Sequence, residues 1–283
     1  MHVSLFCEHG EKREIGTGHL YRLLEIAREL SSRGHVTSWV QNRECNPEAK
    51  VLVVDHIHTQ RDLILKAKAA GVKVVLIDGA EEDVELVDAS VSAIYNPLAQ
   101  YQGAKYFAIP KPSYSETYRL DTKSKTAFVA MGGFDANNLA YRVVRMLESM
   151  DVPVIVARSI NHSNFKMFFK NVEVLTEDDY YNAMQDCMIG ITNGGLTLIQ
   201  AMCFGLPTIA IPQYEHQLTN IKMFPEGCIE SDMLRLKGHV EELLESSYKR
   251  ESLSRFAKSY IDGRGSARIC SIIEDLNNVK TSS

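Results

Sequence analysis

Short apolar runs alternate with amphipathic segments along this chain, and the alternation begins twice. In the first series, strand-like runs fall at residues 2–7, 36–40, 51–55, 73–78, 92–95 and 105–109, with helical spacing at 20–33 and 59–70 between them. This alternation predicts a doubly wound parallel α/β domain. A polar stretch carrying Pro110 and Pro112 and continuing through 113–125 breaks the pattern, and the linker is expected there. A second series opens at 126–131, with further strands at 154–157, 172–175, 188–192 and 208–211 and helices at 137–150, 196–204 and 216–224. The expected division is a first doubly wound domain over 1–120, a second over 121–262, and a C-terminal helix over 263–283, which in two-domain folds of this type packs back on the first.

Composition supports two cores and narrows the partners. A chain of 283 residues suits two domains of roughly 100–150 residues each. The net charge of −5, with 31 basic against 36 acidic residues, comes with no basic stripe for a nucleic-acid backbone or an anionic membrane. No apolar segment approaches the ~18–20 residues of a membrane span, and residue 2 enters a strand directly, without a signal-like leader. The expectation is a cytoplasmic protein without stable membrane insertion. The cysteines Cys7, Cys45, Cys187, Cys203, Cys228 and Cys270 are scattered without a C-x-x-C pair, as buried thiols of a reducing compartment are.

The candidate chemistry sits in the loops. In Gly16-Thr17-Gly18-His19-Leu20-Tyr21-Arg22, a histidine stands in the first turn of a helix that follows the first strand. Backbone N–H groups there favour anions, and a neutral histidine in that position can act as a general base. Ligands of open α/β sheets bind beyond the carboxyl ends of the strands. Four loops fall at such ends, at 15–19, 55–58, 131–135 and 192–197. In the last, Gly194 and Gly195 before Thr197 let backbone N–H groups approach a phosphate, so a diphosphate is the expected guest. Neither a P-loop lysine motif nor a complete G-x-G-x-x-G is present.

The segments Glu8-His9-Gly10, Gly16-Thr17-Gly18-His19-x-x-Arg22, Asp55-His56, Met131-Gly132-Gly133-Phe134-Asp135, Gly205-Leu206-Pro207-Thr208 and Asp262-Gly263-Arg264-Gly265-Ser266-Ala267-Arg268 occur in this order. Together they resemble the nucleotide-sugar hydrolases of pseudaminic acid biosynthesis and their spore-coat polysaccharide relatives. The second half, with Gln217-Leu218-Thr219-Asn220, is also similar to the peptidoglycan N-acetylglucosaminyl transferase. The resemblance implies a GT-B architecture, two Rossmann-like domains facing a cleft, with a nucleotide-sugar substrate and no cofactor or metal. It implies His19 as the general base that activates water, and Gly16, Gly18, Arg22, Asp55 and His56 on the sugar side. It places Gly132, Gly133, Asp135, Asn193, Gly194, Gly195, Thr197, Gln200 and Gln217 on the nucleotide diphosphate. UDP would be released by inversion at the anomeric carbon. Three positions depart from the hydrolase pattern, where Ile57 replaces a tyrosine, Ile199 an asparagine and Gln200 a glutamate. The same donor site would serve a GT-B glycosyltransferase, and loss of those three residues also fits a non-catalytic binding protein.

Plainer roles stand beside these. His19 could cap its helix, His56 and His58 could be exposed polar residues or a metal pair, and Asp55 could brace its loop through backbone N–H groups. Arg22, on the face of His19, fits either a phosphate contact or a salt bridge to an acidic loop. Asp78 with Gly79 reads as a turn or a substrate contact, and Gly132 and Gly133 as a tight turn or a phosphate approach. Thr197 fits an ordinary helix start, Arg264 and Arg268 would orient the last helix, and Glu241, Glu242, Glu245, Lys249 and Arg250 read as a solvated face.

Overall fold

The computed structural model describes residues 1–7, 18–41, 43–56, 58–93, 98–109, 124–133, 135, 137–157, 159, 169, 172–175 and 180–278. It divides into two compact units, Met1–Lys111 with Gly263–Ser283, and Pro112–Asp262.

The first unit runs β1 (His2–Phe6), α1 (Gly18–Ser32), β2 (Val36–Trp39), β3 (Val51–Asp55), α2 (Arg61–Ala69), β4 (Lys73–Ile77), β5 (Ala89–Ser92) and β6 (Tyr101–Gln102). All pairings are parallel and the strand order is β2-β1-β3-β4-β5-β6. The strands read as continuous apolar runs because helices cover both faces. Val51 and Val53 join Val3, Leu5, Val75 and Ile77 against Leu23, Ile26 and Leu30 of α1. Leu52 and Val54 point the other way, onto Leu63, Ile64 and Ala67 of α2. Each fully buried Val, Leu or Ile contributes about 1.5–3 kcal/mol of transfer free energy.

The last helix of the chain, α9 of the scheme completed below (Gly265–Asn278), also belongs to this unit, where Ile269, Cys270, Ile272 and Ile273 enter the same core. Arg33 bonds Glu274 at 2.8 Å and the Ala267 carbonyl at 2.9 Å, and Arg268 donates to the Lys105 carbonyl at 2.8 Å. The approach is so close that a Cβ on Gly265 would lie 2.0 Å from the Phe107 carbonyl oxygen. Two sequence expectations are corrected here. Residues 105–109 are not a strand, because Ala108 is buried in the core that receives α9, after a 3-10 turn at Ala104–Tyr106. The strand expected at 92–95 begins earlier, at Ala89, and ends at Ser92. Gly265→Ala is expected to lower stability by about 3 kcal/mol, since backbone cannot yield as a side chain end does. A melting curve overlapping that of the unaltered protein would disprove the close docking.

The second unit runs β7 (Ala127–Ala130), α3 (Leu139–Glu148), β8 (Val154–Ala157), β9 (Val172–Leu175), α4 (Tyr180–Asp186), β10 (Ile189–Thr192), α5 (Leu196–Phe204), β11 (Thr208–Ala210), α6 (Glu215–Lys222), β12 (Ile229–Glu230), α7 (Leu236–Glu245) and α8 (Ser247–Tyr260). The sheet is parallel, in the order β12-β11-β10-β7-β8-β9. Counted within the unit this is the Rossmann order. Helix α5 is apolar on every side and buries Ala201 and Phe204 with Phe128 and Leu206. The solvated face expected around Arg250 is corrected as well. Arg250 is buried and donates to the Leu243 carbonyl at 2.7 Å, closing the carbonyl end of α7. No helix among the described residues is long and apolar enough to cross a membrane.

Candidate active site

Each sheet has one point where the strand order reverses, and the candidate residues gather at both. In the first unit that point lies between β1 and β3. Asp55 is the last residue of β3 and continues the Val51 and Val53 face, so its carboxylate is directed at α1. On α1, His19 and Arg22 head the stripe that continues as Leu23, Ile26 and Leu30. The apolar stripe that docks the helix therefore delivers both polar side chains to Asp55.

His19 Nδ1 lies 2.5 Å from Asp55 Oδ1. Arg22 grips the same carboxylate with two donors, Nε to Oδ2 at 2.8 Å and Nη2 to Oδ1 at 2.5 Å. Its remaining nitrogen, Nη1, donates to Asp78 Oδ2 at 2.7 Å. Asp55 is fully buried and Arg22 is 8% exposed, so neither ion is relieved by water. Burial opposes ionisation of Asp55, but the Arg22 charge and the His19 hydrogen bond outweigh it and hold the carboxyl below its usual range. Burial likewise opposes the Arg22 charge, and the two carboxylates more than compensate. An ionised carboxylate only accepts, so the 2.5 Å contact has His19 donating through Nδ1, with Arg22 Nη2 3.0 Å from the same nitrogen, and the neutral ring then keeps its lone pair on Nε2. That is the tautomer a general base needs.

Asp78 stands just beyond β4, and the register explains its place. Ile77 pairs with Asp55 on one side and with Val91 on the other, bringing Asp78 beside Ser92 and Ala93. Asp78 Oδ1 accepts from Ser92 Oγ and from the Ala93 amide, both at 2.9 Å. Its φ of 42° lies in the left-handed region, which aspartate tolerates better than most residues. The sequence leaves Asp78 as a turn or a substrate contact; the available signal for more is that one aspartate closes β3 and another stands just beyond β4. Cys7, just after β1, also faces this cluster, and burial followed by the Asp55 charge pushes its thiol up to about 12.

Asp55 and Arg22, expected among the substrate contacts, are thus turned inward as a buried ion pair. His56 is buried too, 1% exposed, with its ring centroid 6.4 Å from that of His19. Its Nδ1 accepts from the His58 amide at 3.0 Å, with the Gln60 amide nitrogen 3.1 Å away. That nitrogen is engaged within its own loop. Gly18 opens α1 in open space, whereas Gly16, Thr17 and Ile57 lie outside the described residues.

In the second unit the order reverses between β7 and β10, the two strands that end in glycine loops. Asn193 ties these loops together, donating to the Met131 carbonyl at 2.9 Å and accepting from the Gly195 amide at 3.0 Å. A Cβ on Gly132, whose φ is 84°, would lie 2.7 Å from the Asn193 amide nitrogen. Asn193 is therefore a brace for the loops. The Gly195 N–H, expected on a diphosphate, is occupied by that brace. The N–H groups of Leu196 and Thr197 in the first turn of α5 lack intrahelical partners by the geometry of any helix start. Gly133 is half-buried in the same loop system.

Asp135 is corrected from nucleotide contact to helix cap. It is fully buried, and its two oxygens accept from the Leu139 and Ala140 amides at 2.9 and 2.8 Å. Helix α6 holds the second loop from behind, with Asn220 donating to the Gly194 carbonyl at 2.9 Å. Gln217 accepts from the Gln213 amide at 2.8 Å through its carbonyl oxygen, which fixes the orientation of its amide group. Gln213, absent from the sequence candidates, reaches the Met131 carbonyl at 3.4 Å and the Asn137 amide at 3.3 Å. Gln200 is buried in α5, and Ile199 is 1% exposed, a core residue. Phe134 lies outside the described residues.

No protein-family model matches this chain. In sequence it is similar to the spore coat polysaccharide biosynthesis protein SpsG of Bacillus subtilis (strain 168), 22% identical with 98% of each chain covered. It is also similar to the uncharacterized protein MJ1062 of Methanocaldococcus jannaschii, 21% identical over 72% of this chain and 54% of that one. In structure it resembles MurG of Acinetobacter baumannii, with a TM-score of 0.70, 13% identity and coverage of 97% and 99%. The S. aureus MnaA–UDP structure gives a TM-score of 0.65 at 12% identity, covering 100% and 98%. The spinosyn rhamnosyltransferase SpnG with spinosyn aglycone gives 0.65 at 14%, covering 96% and 100%. The chain thus has a GT-B-type α/β fold of two Rossmann-like domains, a glycosyltransferase-like fold, and a sequence relative in polysaccharide biosynthesis.

Proposed function

We propose that this protein transfers a glycosyl group from a nucleotide diphosphate sugar to an acceptor hydroxyl in polysaccharide biosynthesis. The His19–Asp55 hydrogen bond carries the reading, since with Nδ1 turned to the carboxylate the opposite ring nitrogen, Nε2, is the one left to accept a proton, at the switch point of an α/β sheet. In the reaction, His19 Nε2 takes the acceptor proton as the acceptor oxygen bonds to the anomeric carbon. The bond from that carbon to the diphosphate breaks, and the nucleoside diphosphate leaves with the electron pair. Asp55 holds the imidazolium that forms. Within the second unit, the amides of Gly132, Gly133 and Gly194 and the start of α5 suit a diphosphate. General-base assistance of this kind contributes about 10²–10⁴-fold.

The likeness to SpnG, a rhamnosyltransferase, and to MnaA, solved with UDP, supports transfer and a nucleotide donor, as does the likeness to SpsG, a polysaccharide biosynthesis protein. A second reading, hydrolysis, is favoured by the Gly16-x-Gly18-His19-x-x-Arg22 segment, which resembles that of nucleotide-sugar hydrolases. Water would then replace the acceptor at the same base. Phosphorus NMR on a panel of UDP-, TDP- and GDP-sugars, with and without hexosamine and glycan-fragment acceptors, separates the readings. Transfer predicts nucleoside diphosphate release that depends on acceptor; equal release without acceptor selects hydrolysis. Donors that bind and stay intact in every mixture overturn both.

A further inference from the structure

We infer that Asp78 is a positioning residue that keeps His19 able to accept a proton, acting through Arg22. The inference rests on the reading of His19 as the base. Arg22 alone would neutralise Asp55, because it grips that carboxylate with two of its nitrogens. An imidazolium forming on His19 would then face a neutral pair. The third nitrogen of Arg22 is instead held by Asp78, so two carboxylates share one guanidinium. Arg22, Asp55 and Asp78 together carry one net negative charge, and a proton arriving on His19 offsets it.

The groups that face His19 among the described residues come from four elements. Asp55 closes β3, Asp78 follows β4, Arg22 lies on α1, Cys7 follows β1 and stays a neutral thiol, and His56 follows β3. The cluster is enclosed, with the Arg22, Asp55 and Asp78 side chains 9%, 0% and 4% exposed, so water does not screen the loss of a charge. Asp78 is fixed in its turn by Ser92 and Ala93 at the end of β5, which keeps Arg22 from collapsing wholly onto Asp55.

The test follows the His19 ring by NMR as pH is varied, in the full chain and without any donor, so it reads the coupling whether or not the protein transfers sugars. Asp78→Asn and Asp78→Ser remove the charge and disfavour the imidazolium, and the His19 midpoint is expected to move down by about one pH unit. Asp78→Glu keeps the charge and is expected to stay near the original midpoint. If donor turnover is in hand, the acid limb of its pH profile moves in the same direction. Folded Asn and Ser variants with an unshifted midpoint would overturn the inference. So would variants that fold only with an acid at position 78, which would make the residue a structural brace.

Discussion

Asp55→Asn is expected to reduce turnover by about 10²–10⁴-fold while leaving donor affinity nearly unchanged. The introduced amide has two orientations, and neither preserves the base. With its oxygen towards His19 and Arg22 Nη2, the tautomer survives, but the NH2 group opposes the Arg22 Nε–H, which now donates to Asp55 at 2.8 Å. The cluster is then neutral before proton transfer and positive after it, in a site closed to water. With the amide reversed, its NH2 donates to His19 Nδ1, so the ring proton moves to Nε2 and the base is blocked. Loss of one buried charge-assisted bond also costs about 1–3 kcal/mol of stability. Kinetics at saturating donor, paired with calorimetric donor binding, separates the cases. A variant that binds and turns over normally would remove Asp55 from the mechanism.

Gly194→Ala is expected to produce the largest loss of stability, about 3–5 kcal/mol, together with loss of nucleotide binding. Two strains coincide there. The φ of 81° is one that L side chains rarely adopt, and the new Cβ would lie 2.6 Å from the Gln217 carbonyl oxygen. Relief requires α6 to retreat, which breaks the Asn220 bond to the Gly194 carbonyl and the support of the loop. The change would appear as a lowered melting temperature that a nucleoside diphosphate fails to raise. Unchanged melting, with normal stabilisation by nucleotide, would show that α6 does not brace the loop.

Local periodicity carried the sheets, because burial on a strand or helix repeats every few residues. The runs at 51–55 and 154–157 match β3 and β8, and 196–204 matches α5. Helices α7 and α8 were obscured by their density of charges, and one of those charges, Arg250, is internal because it caps α7. His19, Arg22 and Asp55 were each visible as candidates. Their union was not, since His19 and Asp55 are 36 positions apart and meet only because β3, not β2, follows β1 in pairing towards β4. The same limit hid Asp78, whose partners depend on the register of β3, β4 and β5. In the second unit the glycine loops were legible as tight turns after two strands. Which of their N–H groups are already occupied depends on where Asn193 and Asp135 point, and no spacing rule gives that.

The central claim, that His19 is the base of a reaction at the anomeric carbon of a nucleotide sugar, is tested most directly by single-turnover release of nucleoside diphosphate from bound donor. His19→Gln is the variant to compare, since it retains a polar side chain but offers no comparable base. The account predicts donor binding within a few-fold of the unaltered protein and release slowed by about 10²–10⁴-fold. Release at the original rate in a variant that binds donor normally would contradict it.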